Sequence, residues 1–78
     1  MELETALAIV LRDKRLASGL SQEELAHLCN IDRTYISLIE RKKRKPTLNI
    51  LFKVCEALKV SPSEFLKEVE KILYSNDY

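Results

Sequence analysis

Positive charge is concentrated in one segment of the chain. Between Arg33 and Lys45 there are six lysines and arginines and one acid, Glu40, although the formal net charge of all 78 residues is only +1. Five of these cations are consecutive, in the run from Arg41 to Lys45. Clustered ammonium and guanidinium groups bind anions, but such a run alone is typical of a solvated loop or a nonspecific anion-binding site. What this cationic run binds therefore depends on the secondary-structure elements that position it.

The arrangements of residues expected of an enzyme are not visible in the sequence. We find no nucleophile beside a base, no glycine loop that could cradle a phosphate and no cluster of ligands. The sequence therefore predicts no catalytic residue, no metal and no cofactor. Cys29 and Cys55 occur singly, without a C-x-x-C spacing. We therefore expect both to be small buried apolar side chains of a protein in a reducing compartment. His27 is expected on a solvated surface.

The length and the N-terminus limit where the protein acts. A chain of 78 residues predicts one domain, residues 1–78, with one small core. The first residues, Met-Glu-Leu-Glu, are acidic where a secretory signal would be basic, and no uncharged run approaches the roughly 20 residues that span a bilayer. No lipidation signal accompanies the basic run. We therefore expect a cytoplasmic protein without membrane attachment and without a small-molecule ligand.

Apolar residues recur at helical spacing, and one Gly and two Pro interrupt them, so the sequence predicts an all-α fold. Start and stop signals place five helices. Their predicted bounds are helix 1 from about Leu3 to Ala17, helix 2 from Gln22, helix 3 from Arg33, helix 4 after its cap Thr47, and helix 5 from Pro62 to about Leu73.

Helices 2 and 3 are short and joined by a tight turn. Ser21 and Glu24 fit a capping box before helix 2, Asn30 suits the left-handed turn, and Asp32 caps helix 3. The small Ala26 fits where two helices cross closely. The sequence therefore predicts a helix-turn-helix over about residues 22–40. Its second helix buries apolar residues and exposes polar ones: Ile36 and Ile39 inward, Arg33, Thr34 and Ser37 outward.

The stretch GLSQEELA, from Gly19 to Ala26, resembles the lambda-repressor/Cro-like (XRE) family of bacterial and phage regulators. The PTL start of helix 4 and the V-S-P start of helix 5 agree with it. The stretch DRTYISLIER, from Asp32 to Arg41, is similar to the controller proteins of restriction-modification systems. The resemblance implies a compact five-helix DNA-binding domain. Its implied function is a sequence-specific, autoregulatory transcriptional regulator, by the narrower similarity one that controls restriction-modification genes.

In that family the second helix of the motif enters the major groove. The resemblance therefore assigns base contacts to Arg33, Thr34 and Ser37, and a guanidinium can donate two hydrogen bonds to guanine O6 and N7. It assigns phosphate contacts to Gln22, Tyr35, Arg41, Lys42, Lys43, Arg44 and Lys45. For Arg44, insertion into a narrow minor groove stays open.

Two acids at the start of helix 2 have two interpretations. Glu23 and Glu24 could touch RNA polymerase, as activators of this family do, or could serve the helix cap and dipole, which we favour. Two lysines depart from the family pattern. Lys14 stands where helix 1 is usually apolar, so either its stem passes the core edge or the helix is rotated. Lys59 stands where helix 4 should end in Gly or Asn.

One recognition helix reads too few base pairs to single out a site, so we expect a homodimer on a palindromic operator with half-sites about 34 to 36 Å apart, or a multiple of that distance. Helix 5, about residues 62–73, should supply the interface through Phe65, Leu66, Val69 and Ile72. Whether the output is activation or repression stays open. The alternative is an antitoxin or adaptor built on the same fold. A long partner-binding extension would support this alternative, but the chain has almost none after helix 5, only Ser75 to Tyr78.

Overall fold

The computed structural model describes residues 1–75, which form five α-helices and no strand. The helices are α1 Leu3–Ala17, α2 Gln22–Cys29, α3 Arg33–Glu40, α4 Leu48–Leu58 and α5 Pro62–Leu73. The predicted all-α architecture and the predicted helix starts are thereby confirmed. Residues 76–78, which belong to the short segment after helix 5, lie outside the described residues.

The helix starts follow from side-chain caps. Ser21 Oγ accepts a hydrogen bond from the Glu24 N–H at 3.0 Å, and the Glu24 carboxylate accepts one from the Ser21 N–H at 2.9 Å, which completes the predicted capping box. Asp32 caps α3 by accepting from the Thr34 N–H at 2.7 Å. Thr47 and Ser61 accept from the third residue of α4 and α5, respectively. The start of α2 and the start of α3 are therefore fixed locally.

Four helices end on a residue with left-handed backbone geometry. These residues are Gly19 (φ 71°), Asn30 (φ 55°), Lys42 (φ 64°) and Lys59 (φ 59°). In each case the N–H of the following residue bonds to the carbonyl five positions earlier, as in a Schellman motif. The sequence predicts this ending at Gly19, Asn30 and Lys59. It gives no signal for Lys42, a side chain that rarely adopts this geometry.

The core is one apolar cluster to which all five helices contribute. Leu25, Ile36 and Ile39 from the helix-turn-helix are at most 2% exposed and meet residues from α1, α4 and α5. The first leucines of α1 and α4 lie outside this core: Leu3 is 40% exposed and Leu48 is 70% exposed. The helix-turn-helix thus rests on a platform formed by the other helices.

Helix α5 packs part of its apolar face against this core. Phe65 is 2% exposed and Val69 is 3% exposed, so the expectation that they form a dimer interface is wrong, because their side chains are already enclosed by the same chain. Leu66 is 40% exposed and Ile72 is partly buried. The apolar face of α5 that remains exposed is therefore narrower than the sequence pattern indicates.

Lys14 follows the first of its two alternatives. Its stem is partly buried and its ammonium pairs with the carboxylate of Glu68 on α5, so the charge lies at the edge of the core. None of the helices between residues 1 and 75 is both long and apolar enough to span a membrane.

Candidate nucleic-acid interface

Helix α3 presents a polar surface because its other side is held in the core. Ile36 and Ile39 are 0% and 2% exposed, whereas Arg33 and Thr34, in the first turn, are exposed to solvent. The left-handed turn at Asn30 sets α3 across α2, where Ala26 is buried. The start of α3 therefore projects from the molecule with Arg33 and Thr34 free to meet a partner.

Ser37 lies one turn further along α3 and is partly buried. Its hydroxyl accepts a hydrogen bond from Arg41 Nε at 3.2 Å. The four-residue spacing explains this contact, since side chains at i and i+4 lie on one face of a helix. The structure therefore brings Ser37, a predicted base-contact residue, together with Arg41, the first cation of the run.

A buried ion pair fixes the far end of α3. Glu40, the last residue of α3, accepts hydrogen bonds from Arg15 Nε at 2.7 Å and Arg15 Nη2 at 2.9 Å. Arg15 also donates to the carbonyl of Leu20 at 2.9 Å, so the same guanidinium holds the turn before α2. The hydrogen bonds to Glu40 raise the pKa of Arg15.

The Arg15–Glu40 pair was not predicted, although the sequence contains a signal for it. Arg15 lies four residues after Leu11 and Glu40 lies four residues after Ile36, so each charged residue occupies the apolar face of its helix. Opposite charges on two apolar faces predict a buried pair. Glu40 is also the one acid between Arg33 and Lys45. Its pairing with Arg15 explains why an acid stands in this cationic segment.

Gln22 belongs partly to the same network. Its side-chain amide donates to Glu40 Oε1 at 3.1 Å, so this side chain is turned toward the protein and is partly buried. Its second amide hydrogen and the backbone N–H groups of the first turn of α2 are what it can offer a phosphate. The phosphate contact predicted for Gln22 remains a prediction.

The run Arg41 to Lys45, here called the basic loop, is exposed at every residue. The guanidinium carbon of Arg44 lies 4.7 Å from the centre of the Tyr35 ring, and Lys45 approaches Glu4 of α1 at 3.9 Å. Lys42 and Lys43 form no ion pair with any residue from 1 to 75. The loop therefore carries its charge into solvent beside α3.

Two carboxylates near these surfaces act as caps. The backbone N–H of Thr34 lowers the pKa of Asp32, and the N–H of Ser21 lowers the pKa of Glu24. Glu24 thus has the structural use that we favoured for it, whereas Glu23 is exposed.

The two thiols and the histidine lie apart from this surface. Cys29 and Cys55 are buried and unpaired as expected, and burial raises the pKa of Cys29 and raises that of Cys55 to about 11. His27 is exposed. No group of three or more potential metal ligands occurs within residues 1–75. A groove of about 810 Å³ is lined by residues such as Leu28 and Lys59 and by none of the predicted DNA contacts.

Several curated proteins that are similar in sequence to this chain are named as a transcription factor or as control proteins. The chain is 42% identical over 65 residues to a hypothetical transcription factor of Neisseria meningitidis, a match covering 83% of this chain and 61% of that protein. It is 39% identical over 66 residues to the control protein C.SmaI of Serratia marcescens, covering 85% and 79%. It is 47% identical over 49 residues to C.BamHI of Bacillus amyloliquefaciens, covering 63% and 60%. The chain thus spans about three fifths of the first and third relatives.

Solved structures agree in fold. The restriction-modification controller protein C.Esp1396I matches with a TM-score of 0.86 and 36% identity, over 99% of each chain. C.AhdI from Aeromonas hydrophila matches with a TM-score of 0.76 and 39% identity, over 80% of this chain and 94% of that one. The helix-turn-helix family pattern itself matches residues 11–65. The chain therefore belongs to the helix-turn-helix family, of the XRE type that its GLSQEELA stretch indicates.

Proposed function

We propose that the protein is a sequence-specific DNA-binding transcriptional regulator of the restriction-modification controller type. The observation that carries this proposal is the exposed first turn of α3, with Arg33 and Thr34, beside a basic loop whose one ion pair within residues 1–75 joins Lys45 to Glu4. The relatives C.SmaI and C.BamHI are control proteins, and C.Esp1396I shares the fold over nearly the whole chain. DNA binding uses all of these features together.

Affinity and sequence preference come from different residues. Arg33, Thr34 and Ser37 face the base edges, where one bidentate arginine contact is worth roughly 1 to 3 kcal/mol of discrimination. The basic loop contacts phosphates, which carry no sequence information. Four or five such contacts in each subunit give a log-log salt slope of about −4 per subunit.

The protein binds as a homodimer on a palindromic operator. Since Phe65 and Val69 are in the core, the interface uses apolar side chains that the fold leaves exposed on α4 and α5. These are Leu48, Phe52 and Leu66, with Ile72 at the edge. A dimer doubles the number of base pairs read and thereby provides the selectivity that one helix lacks.

Regulation follows from occupancy of the operator. Dimerisation makes occupancy depend on protein concentration, which suits autoregulation in the cytoplasm without a small-molecule signal or a catalytic step. Binding over a promoter represses it, and binding just upstream, with a contact to RNA polymerase, activates it. The antitoxin or adaptor alternative has less support, because the similar proteins with stated roles are regulators.

Selection of bound fragments from a random double-stranded DNA library tests the function directly. We expect a palindromic consensus from the wild-type protein. Arg33→Ala should then relax the base preference at one position of each half-site, whereas Lys42→Gln should weaken all sequences alike and reduce the salt slope by about one. No enrichment over unselected DNA, at any salt concentration, would refute the proposal.

A further inference from the structure

Tyr35 contacts the chain on both sides of Lys45 and Pro46. It is the third residue of α3 and is partly buried. Its ring lies under the guanidinium of Arg44, with 4.7 Å between the guanidinium carbon and the ring centre. Its hydroxyl oxygen accepts a hydrogen bond from the Thr47 N–H at 3.4 Å. One side chain of α3 therefore holds two points of the connection to α4.

The basic loop needs such a support because its own sequence lacks one. In a Schellman ending, an apolar residue after the left-handed position usually packs back on the helix. Leu20, Ile31 and Val60 fill this position after α1, α2 and α4, and each packs against the core. After α3 the position is Lys43, which is exposed. Contacts from Tyr35 take the place of the missing apolar anchor.

Stacking leaves the arginine able to bind. A guanidinium on an aromatic ring uses its flat face, while its N–H donors point outward around its edge. An ion pair with a carboxylate would instead occupy these donors. Arg44 can therefore rest on Tyr35 and donate to DNA at the same time, with less side-chain freedom to lose on binding than an unsupported lysine.

We propose that Tyr35 is a positioning residue that holds Arg44 beside α3 in the free and the DNA-bound protein, so that Arg44 donates to DNA from a fixed place. This inference rests on the proposed function and assigns Arg44 a role different from that of Lys42 and Lys43. The two lysines contribute charge, and any cation can replace them. Arg44 contributes a planar donor group whose position depends on the Tyr35 ring.

Affinity of four variants for the selected operator, measured by fluorescence anisotropy at one salt concentration, tests the inference. Tyr35→Leu removes the ring and should weaken binding about two- to fivefold, the size of an exposed cation–π contact. Tyr35→Phe keeps the ring but removes the hydroxyl, which accepts from the Thr47 N–H and is also a predicted phosphate contact, so it should weaken binding less than Tyr35→Leu does. Arg44→Lys keeps the charge but not the plane and should lose about as much as Tyr35→Leu. The double variant Tyr35→Leu/Arg44→Lys should be no weaker than the weaker single variant.

Lys43→Gln provides the matched control, since Lys43 lies in the same loop but not on the ring. Its loss should multiply with that of Tyr35→Leu, as expected for independent sites. Multiplying losses for Tyr35→Leu and Arg44→Lys would overturn the inference, and so would a Tyr35→Phe variant as weak as Tyr35→Leu. Arg44 is exposed, so Arg44→Lys reports even if Tyr35→Leu unfolds, and an unchanged affinity for it also overturns the inference. In these cases wild-type DNA binding persists, whereas its absence would refute the proposed function as well.

Discussion

Arg15 and Glu40 join the end of α1 to the last residue of α3 through two hydrogen bonds, of 2.7 and 2.9 Å, one to each carboxylate oxygen. Their side chains are only 9% and 3% exposed. Gln22 and the Leu20 carbonyl add bonds to the same pair. The orientation of α3 relative to α1 and α2 thus depends on a polar network as well as on apolar packing. The proposed contact of α3 with base edges requires side chains held at fixed positions, which this network favours.

Loss of one partner of this pair should destabilise the protein strongly. In Glu40→Gln the guanidinium of Arg15 stays buried without its counter-charge, which costs about 3 kcal/mol of the free energy of unfolding. For a domain of this size we expect the Tm to fall by about 12 °C or more. Thermal unfolding followed by circular dichroism measures the change.

The Lys14–Glu68 pair serves as a control, since Glu68 is 45% exposed. Glu68→Gln should change the free energy of unfolding by about 1 kcal/mol or less. The double variant Arg15→Met/Glu40→Leu should recover most of the stability, because no buried charge is left unpaired. If Glu40→Gln is no more destabilising than Glu68→Gln, the pair does not have this role.

The helix limits could be predicted from the sequence because they depend on neighbouring residues. Ser21 with Glu24, Asp32 and Thr47 each cap the helix that immediately follows, and Asn30 sets the turn between α2 and α3. Such caps act over three or four positions, so the pattern contains all the information. The exposed sides of α3 followed from the same local periodicity.

Features that depend on distant residues were missed. Arg15 and Glu40 are 25 positions apart; each lies on the apolar face of its own helix, but this local pattern does not fix how the two helices pack against each other. Phe65 and Val69 were placed in a dimer interface because the sequence does not show how much of α5 the core covers. The left-handed Lys42 was missed because α3 could end at several positions within a polar run.

Lys59→Gly should stabilise the protein. Lys59 ends α4 with φ 59°, where a side chain is strained and glycine is not, so we expect a gain of about 1 kcal/mol in the free energy of unfolding. Lys53→Gly removes the same charge from the middle of α4 and should cost about 1 kcal/mol. Urea titration of the two variants measures both. A loss of stability in Lys59→Gly would mean that its side chain has a contact outweighing the strain.

Asp32 should make the stability depend on acid pH. Its folded pKa lies below the ordinary value of 3.8, because the carboxylate accepts from the Thr34 N–H. Its contribution is therefore fully present above pH 3.8 and is lost as the pH falls through the lower folded pKa. Asn caps as well as Asp without titrating, so Asp32→Asn should keep the neutral-pH Tm and lose less stability in acid. Tm values from neutral to strongly acid pH decide, and parallel curves for the two proteins would contradict this.

The proposed dimer should depend on Leu66 and Phe52. Each is exposed, by 40% and 56%, so a charge there leaves the core intact but cannot be enclosed between two subunits. Leu66→Asp and Phe52→Asp should weaken self-association by about tenfold or more, with little change in monomer stability. Sedimentation velocity over a range of protein concentrations measures the association.

Leu28→Asp is the matched control for these two variants, because Leu28 is a leucine of α2 with 58% exposure on a helix outside the proposed interface. It should leave the dimer unchanged. Val69→Asp cannot serve here, since Val69 is 3% exposed and a buried charge would unfold the subunit. Wild-type protein that stays monomeric at tens of micromolar, or Leu66→Asp and Leu28→Asp with equal effects, would show that α4 and α5 do not form the interface. Sequence selectivity would then have to come from two subunits brought together by the DNA alone.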